Sequence, residues 1–534
     1  MKFKYRSIII LLLSITFIYA CAAPPPLSDE MDIYRMKEKV ELTIVKEMKS
    51  NAGLPDGDTL ENNMYTRYLT EKSNVSFKVR WASSGQDYEE KLKLAVATHD
   101  IPDVLVVDET LFRTMVEQEQ IMDLTNIFNE YASPLLKELY ASSQNKALKK
   151  ATIDGKLMAI PNLSVQGDAF SMLWVREDWL NELKLTAPRT VEEVGQVARA
   201  FIANNMGGDN GKKTLGLIGN VARNAANNTV ADFTGLFAAY QAFPGIWLRE
   251  GNGQVIYGST TLQAKEALSK LRQWYEEGII DPDFYLRQEI SEPIISGEAG
   301  MFFAPWFAPW YPLNESMMYD KRAVWRPYPI FSNDNKLYSK SMPVSQWYIV
   351  VRKGVDKPEA LMVYLNHYIN IQRFMDPDAK QLNLSLDASY YPIYTSFDYP
   401  DAVTRKHAHL MQALEGVMEP EQLDPEMRQH YNTWNRVVES PESFSIGDWM
   451  APYAYIYGAA VLKNDIVYVD NIYTAMSKTM RMKWDKLQRL EQSAYLSIIT
   501  GEQPLDYFEQ FVELWRAEGG EQIIKEIAEA NSYE

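Results

Sequence analysis

Cysteine is nearly absent. Cys21 is the only one in 534 residues, which excludes an internal disulfide and fits a chain that folds outside the cell without one. Histidine is also scarce, with five residues (His99, His367, His407, His409 and His430) scattered along the chain. His407 and His409 could share a strand face as metal ligands, but no carboxylate or third histidine accompanies them at metal spacing, and the pair reads as part of a solvated helix. No G-x-S-x-G and no H-E-x-x-H occurs, so the local signatures of serine hydrolases and zinc peptidases are missing. After Cys21 no apolar run approaches the roughly 20 residues a helix needs to cross a bilayer. Cationic side chains are outnumbered, 54 Lys and Arg against 71 Asp and Glu, for a formal charge of −17. Such a surface repels nucleic acid, whose binding depends on cationic contacts to phosphate.

What is present begins at the first residues. Lys2, Lys4 and Arg6 precede a 13-residue apolar run, Ile8 to Ala20, which ends in Ile18-Tyr19-Ala20-Cys21. A basic start, a short apolar stretch and small residues before a cleavage point describe an export signal. The last four residues resemble a lipobox, in which the chain is cut before the cysteine and its thiol is acylated, as with palmitate. Residues 1–20 therefore read as a lipoprotein signal peptide and Cys21 as the lipidation site. Residues 21–35 read as a tether, because AAPPPLSDEMD is proline-rich and poor in apolar bulk. Removing the signal takes away three cationic groups and brings the charge to about −20. The remaining length exceeds one ordinary core, so two or more domains are expected. Aromatics are plentiful, with 13 Trp and 32 Tyr. They serve either large cores or platforms for flat ligands, because each ring offers an apolar face and a polar edge.

Periodicity predicts strands at Val40 to Lys46 and Val75 to Trp81, helices at Met64 to Glu71 and Tyr88 to Ala97, and a buried strand at Val104 to Val107. A second series follows: a strand at Phe170 to Val175, a helix at Thr190 to Phe201 opened by a Thr190/Glu193 capping box, and a short strand at Leu215 to Ile218. Ala264, Ala267, Leu268, Leu271 and Trp274 recur at helical spacing before Gly278. Phe508, Phe511, Val512 and Trp515 form a last stripe, closed by Gly519-Gly520. Strands alternating with helices imply βαβ units and a mostly parallel sheet, hence an α/β fold.

Several segments in order carry a resemblance. Asp154 to Pro161 (DGKLMAIP) is followed by Leu173 to Leu180 (LWVREDWL) and Pro188-Arg189-Thr190. Ala95 to Val104 resembles an "ASG-x-x-PD" segment, and Ser296 to Trp306 resembles a "GKAAM…GPW" segment. Together with the tail from Gly501 to Gly520, these are similar to the extracellular solute-binding proteins that include the maltose- and alginate-oligosaccharide-binding proteins, the capture components of ABC importers. The resemblance implies a two-lobe periplasmic-binding-protein-like fold of class II type, with hinge crossings and an interlobe ligand cleft. Its expected boundaries are 36–163 and 304–345 for lobe 1, and 164–303 and 346–534 for lobe 2. The crossings are expected near Pro161 to Ala169, Met301 to Ala304 and Ser345 to Val350.

Sugars offer C–H patches that stack on aromatic rings and hydroxyls that need planar donors and acceptors. Phe302 to Tyr311 (FFAPWFAPWY) is the densest such place. By the resemblance Trp306 sits at the cleft, and Trp310 is a second candidate there. Gln346 and Trp347 precede the strand Tyr348 to Val351 at a crossing. Asn162, Gln166 and Asp168 lie on the first crossing, where ordinary turn chemistry is the competing reading. Asp108 and Glu109 follow a strand whose C-terminal end faces ligand in open α/β sheets, or else they cap the next helix. Trp81 ends a strand and takes the same argument. Trp247, in the Phe243 to Arg249 loop, is a further candidate, whereas Trp174 and Trp179 read as core.

Relatives in the alginate branch carry a calcium loop where this chain has Asn204 to Thr214. Calcium needs oxygen ligands on alternating positions, and here Asp209, Asn210 and Gly211 survive while Met206 and Gly208 fall at ligand positions. The segment reads as a calcium-free turn, and no cofactor is expected. The resemblance implies a substrate-binding lipoprotein on the extracellular face of the cell membrane. It would be a monomer, without catalytic residues, that captures an oligosaccharide and delivers it to ABC permease subunits. Two other readings stay open: a secreted carbohydrate-active enzyme (glycosidase or lyase), since 71 acidic residues always supply carboxylate pairs, and a ligand-presenting accessory to a membrane sensor.

Overall fold

The computed structural model describes residues 32–48, 56–208, 213–220, 230–287, 289–379, 382 and 390–530. The expected signal peptide, Cys21 and most of the tether lie outside the described residues. The tether's last residues are held down: the Ile33 carbonyl accepts from Asn366 Nδ2 at 2.7 Å, and the Tyr34 ring meets His367 edge-on at 5.5 Å.

Local sequence rules place the elements of the first lobe. In the strand Val40–Glu47 the apolar Leu42, Ile44 and Val45 are buried, and it pairs in parallel with Val75–Ser83. The intervening helix Met64–Ser73 starts at Asn63, whose side chain accepts from the Tyr65 and Thr66 amides, and stops at Asn74 in the left-handed conformation. A second sheet sets Tyr348–Val351 between Val104–Val107 and Ile160–Pro161, antiparallel to both. The expectation of a mostly parallel sheet therefore holds for the first pair of strands and for Leu337–Lys340 beside Ile466–Val469, but not for the two three-stranded sheets. The central strand enters from the other lobe at the edge where Val104–Val107 ends, so it must run the opposite way.

In the second lobe Met172–Arg176 lies between Met301–Ala304 and Trp325–Tyr328, antiparallel to each. The helix Val191–Ala203 opens with the expected capping box, Thr190 Oγ1 accepting from Glu193 N and Glu193 accepting from Thr190 N. The helix Leu262–Glu276 buries the five residues of its apolar stripe, and Gly278 follows at a φ of 71°. Phe508, Phe511 and Trp515 are buried as packing residues. Gly519-Gly520 closes this helix, as expected, and a second helix starts across the kink. Gly519 takes a φ of 140°, the Trp515 ring lies 2.1 Å from where a Gly520 Cβ would stand, and the helix Glu521–Ala530 continues beyond.

The hydrophobic cores divide the chain differently from the expected boundaries. One core gathers residues from Leu42 to Leu163 and from Tyr348 to Phe397. The others gather residues from Phe170 to Leu337 and from Val403 to Ile527. Residues 304–345 thus pack with the second lobe: Trp306, Leu313, Trp325 and Leu337 share a cluster with Phe170 and Trp174. Residues 348–397 pack with the first. Met301–Ala304 is not a crossing, because both its faces are buried beside Met172–Arg176. The chain changes lobe near 163–165, 344–346 and 397–402 instead. No helix among the described residues is long and apolar enough to cross a membrane.

Candidate functional site

The three changes of lobe run side by side and are stitched by backbone hydrogen bonds. Asn162 N donates to Trp347 O at 2.8 Å, Leu163 N to Ser396 O at 3.0 Å, Ser164 N to Val344 O at 3.3 Å, and Gln166 N to Pro400 O at 2.9 Å. Asn162 is 3% exposed and ties all three together. Its Oδ1 accepts from Ser345 Oγ at 3.0 Å and from the Gln346 and Trp347 amides at 2.9 Å each, while its Nδ2 donates to Ser396 Oγ at 3.2 Å.

Beside this junction a cavity of about 680 Å³ opens on the first lobe. Its walls come from the C-terminal ends of two strands (Lys46, Glu47 and Asp108), the helix Gly85–Ala97 (Tyr88, Glu89 and Lys93), the junction itself (Asn162, Gln346 and Trp347) and the segment Pro392 to Ser396. Strand ends gather here because the chain turns over the sheet at this edge, which is where open α/β sheets bind ligands. Two large rings stand open at the wall: Trp347 is 46% exposed and Tyr394 50%. The Trp347 backbone is held by the Asn162 clamp while its ring is open to solvent.

The charges at the cavity are mostly committed. Lys46 is buried and donates to the Tyr391 carbonyl. Lys93 pairs with Glu89 at 3.7 Å. Asp108 is exposed and caps the helix Glu109–Glu117 by accepting from Leu111 N at 2.8 Å. Glu47 is exposed at its strand end. Burial, with the Glu47 charge adding, pushes the Tyr88 phenol up to about 12.

The predicted site residues fall into five places. Asn162, Gln346, Trp347 and Asp108 meet at the cavity. Trp81 stands behind it, its ring 5.6 Å from that of Tyr88. Trp306, Trp310, Asp168 and Gln166 lie in the second lobe next to the crossings. Trp306 is 6% exposed, donates Nε1–H to Asp168 Oδ1 at 2.8 Å, and packs against Trp310 at 5.4 Å and Tyr455 at 4.9 Å. Burial pushes Asp168 up to about 6, against the opposing Trp306 hydrogen bond. Gln166 Nε2 is buried with no hydrogen-bond partner among the described residues. Glu109 does not line the cavity. Its carboxylate pairs with Lys150 at 2.7 Å and accepts from Thr474 Oγ1 of the second lobe at 2.8 Å, forming a bridge between lobes beside Asp108. Trp247 is a core residue, 2% exposed, packed among Tyr257, Trp484 and Trp515. Trp174 and Trp179 are buried core as well.

Two features escape the sequence reading. Tyr88 and the run Pro392 to Ser396 supply cavity wall, and the aromatic-proline pattern around that run is a usable signal. At the third crossing, Arg373 from the first lobe meets Glu426 of the second at 3.5 Å and Asp398 between them, and Lys406 joins both carboxylates at 2.7 Å. Burial would raise Glu426, but the Lys406 and Arg373 charges prevail and hold it at about 2. His407 and His409 do lie on a helix, Ala402–Leu414, but His407 is buried against the Tyr455 carbonyl at 2.7 Å and is not solvated.

In the loop expected to be calcium-free, the described part closes on itself. Thr214 Oγ1 accepts from Gly207 N at 2.8 Å and donates to Asn205 Oδ1 at 3.3 Å. Asp209, Asn210 and Gly211 lie outside the described residues. Among the described residues no group of three or more His, Cys, Asp or Glu could hold a metal ion.

Known proteins resemble the chain in sequence and fold. The family model for bacterial extracellular solute-binding proteins matches residues 51–372. The fructooligosaccharide ABC transporter substrate-binding protein FusA of Streptococcus pneumoniae is 27% identical over 308 residues, 53% of this chain and 54% of that protein. The polygalacturonan/rhamnogalacturonan-binding protein YtcQ of Bacillus subtilis is 24% identical over 238 residues, 43% of this chain and 44% of that protein. The chain thus spans about half the length of the curated relatives it matches. Among solved structures, FusA of S. pneumoniae in complex with kestose superposes with a TM-score of 0.63 at 15% identity, covering 92% of this chain and 99% of that one. The alginate-binding protein AlgQ2 without calcium ion gives 0.60 at 15% identity, covering 93% and 99%. At this identity the likeness carries the two-lobe fold.

Proposed function

The chain belongs to the bacterial extracellular solute-binding proteins, and from that premise we propose that it captures an oligosaccharide at the cavity beside the crossings and delivers it to a membrane ABC permease. It does so as a binding protein without chemistry of its own, anchored on the outer face of the membrane through a lipid on Cys21.

One observation carries the reading: Trp347 presents an open ring at the cavity while its backbone amide and carbonyl are both bonded to Asn162 at the crossings. A ring so placed offers a stacking face to a sugar, and the same backbone couples that face to the angle between the lobes. The cavity volume of about 680 Å³ lies within the range that buries a small ligand. The similarity to FusA, a fructooligosaccharide ABC transporter substrate-binding protein, and to YtcQ, a polygalacturonan/rhamnogalacturonan-binding protein, supports the same ligand class.

Mechanism follows as a population shift. A ligand that touches both lobes gains contacts only when they approach, so it favours the closed form by its differential affinity. The segments to be reoriented are 163–165, 344–346 and 397–402. The permease then reads the closed surface. The experiment is a thermal-shift screen of the purified chain against a broad oligosaccharide panel. A rise in melting temperature for at least one glycan is expected; no rise with any glycan, in folded protein, would refute the proposal.

A further inference from the structure

We propose that the cavity selects neutral glycans and rejects uronic acids; this rests on the oligosaccharide reading above. The inference comes from which charges at the wall are already spent. Its two cations are Lys46 and Lys93. Lys46 is buried and engaged with the Tyr391 carbonyl, and Lys93 is paired with Glu89. No arginine lines the cavity, so the planar fork that grips a carboxylate with two parallel hydrogen bonds is missing from its wall.

Two carboxylates remain, Glu47 and Asp108, both exposed at C-terminal strand ends on the same wall. Asp108 spends one oxygen on the Leu111 amide. Ionised carboxylates only accept hydrogen bonds, and they suit the hydroxyl donors of a sugar. A hydroxyl bonded to a carboxylate gains the strength of a charge-assisted bond. A uronate placed there would bring a further negative charge to a wall that holds three carboxylates, Glu47, Glu89 and Asp108, against two lysines, one of them buried on a carbonyl and the other beside Glu89. Trp347 and Tyr394 supply the stacking face, which does not discriminate charge. Selection therefore falls to Glu47 and Asp108.

The test titrates the purified chain by calorimetry with neutral oligosaccharides (kestose, nystose, maltotetraose, cellotetraose and xylotetraose) and with oligogalacturonates and oligomannuronates of matched length, each at 50 and 500 mM NaCl. Binding is expected for a neutral sugar, little changed by salt, with none detectable for the uronates at either salt concentration. Glu47→Gln and Asp108→Asn each keep the fold, since Glu47 is exposed and Asn also caps helices. Each should weaken the neutral sugar by about ten-fold or more. Uronate binding at least as tight as that of the matched neutral sugar overturns this inference and leaves the oligosaccharide reading standing. So does unchanged neutral-sugar affinity in both variants. Absence of binding by any member of either class overturns both.

Discussion

Asn162→Ala tests whether the crossings are held as the geometry indicates. The side chain is 3% exposed and makes four hydrogen bonds, three through Oδ1 and one through Nδ2. Truncation leaves the Gln346 and Trp347 amides without their acceptor. Ser345 Oγ loses less, because it also reaches Trp347 O at 3.1 Å. An orphaned buried donor costs about 1–3 kcal/mol, and water from the adjoining cavity can partly solvate these two, so the expected loss is about 2–3 kcal/mol in total. Asn162→Asp keeps the acceptor for the two amides but loses the donation to Ser396 and buries a carboxylate, so it should also destabilise the chain. The assay is urea unfolding without ligand, followed by tryptophan fluorescence, with a far-UV signal to check that both lobes unfold together. A loss below about 0.5 kcal/mol for Asn162→Ala, the level of an ordinary surface change, would refute the reasoning.

Three further outcomes are expected. Trp347→Ala removes an exposed ring, so stability should stay within about 0.5 kcal/mol while glycan affinity falls steeply; calorimetry beside urea unfolding reads both. Asp168 carries a folded-state pKa of about 6, raised from 3.8 by burial, so its contribution to stability is fully present below 3.8 and is lost as pH rises through 6. Asp168→Asn should therefore stabilise the chain at pH 7.5 by about 1–3 kcal/mol and do so less at pH 4, as read by unfolding at the two pH values. Melting temperature should be the same in EDTA and in millimolar calcium, and a shift of several degrees would mean that the Asn204 to Thr214 loop binds the ion after all.

Legibility in the sequence follows the range of the interaction involved. The strands at Val40 and Val75 and the helices at Thr190 and Leu262 are written in alternation, a capping box and an apolar stripe, all of which act within a few residues. The allocation of segments to lobes is not written locally. Met301–Ala304 is an apolar strand whichever lobe receives it, and only its pairing with Met172–Arg176 decides. Trp247 shows the same limit: its partners Trp484 and Trp515 lie more than 200 residues downstream. At the cavity, Asp108 is legible from the strand end, and Asn162, Gln346 and Trp347 from the crossings they flank. Glu109 is not, because the next residue along a helix points elsewhere, and here it finds Lys150 and Thr474. The buried group Arg373, Asp398, Lys406 and Glu426 draws on two lobes and a crossing, and no spacing in the chain announces it.

The central claim is capture without chemistry, and calorimetric titration of the purified chain with the glycan identified by screening, followed by mass analysis of the recovered ligand, tests it most directly. The expected result is a saturable isotherm with one site per chain, lost or strongly weakened in Trp347→Ala, and a ligand recovered unchanged. An isotherm that does not saturate, affinity indifferent to Trp347, or a shortened glycan after incubation would contradict the account.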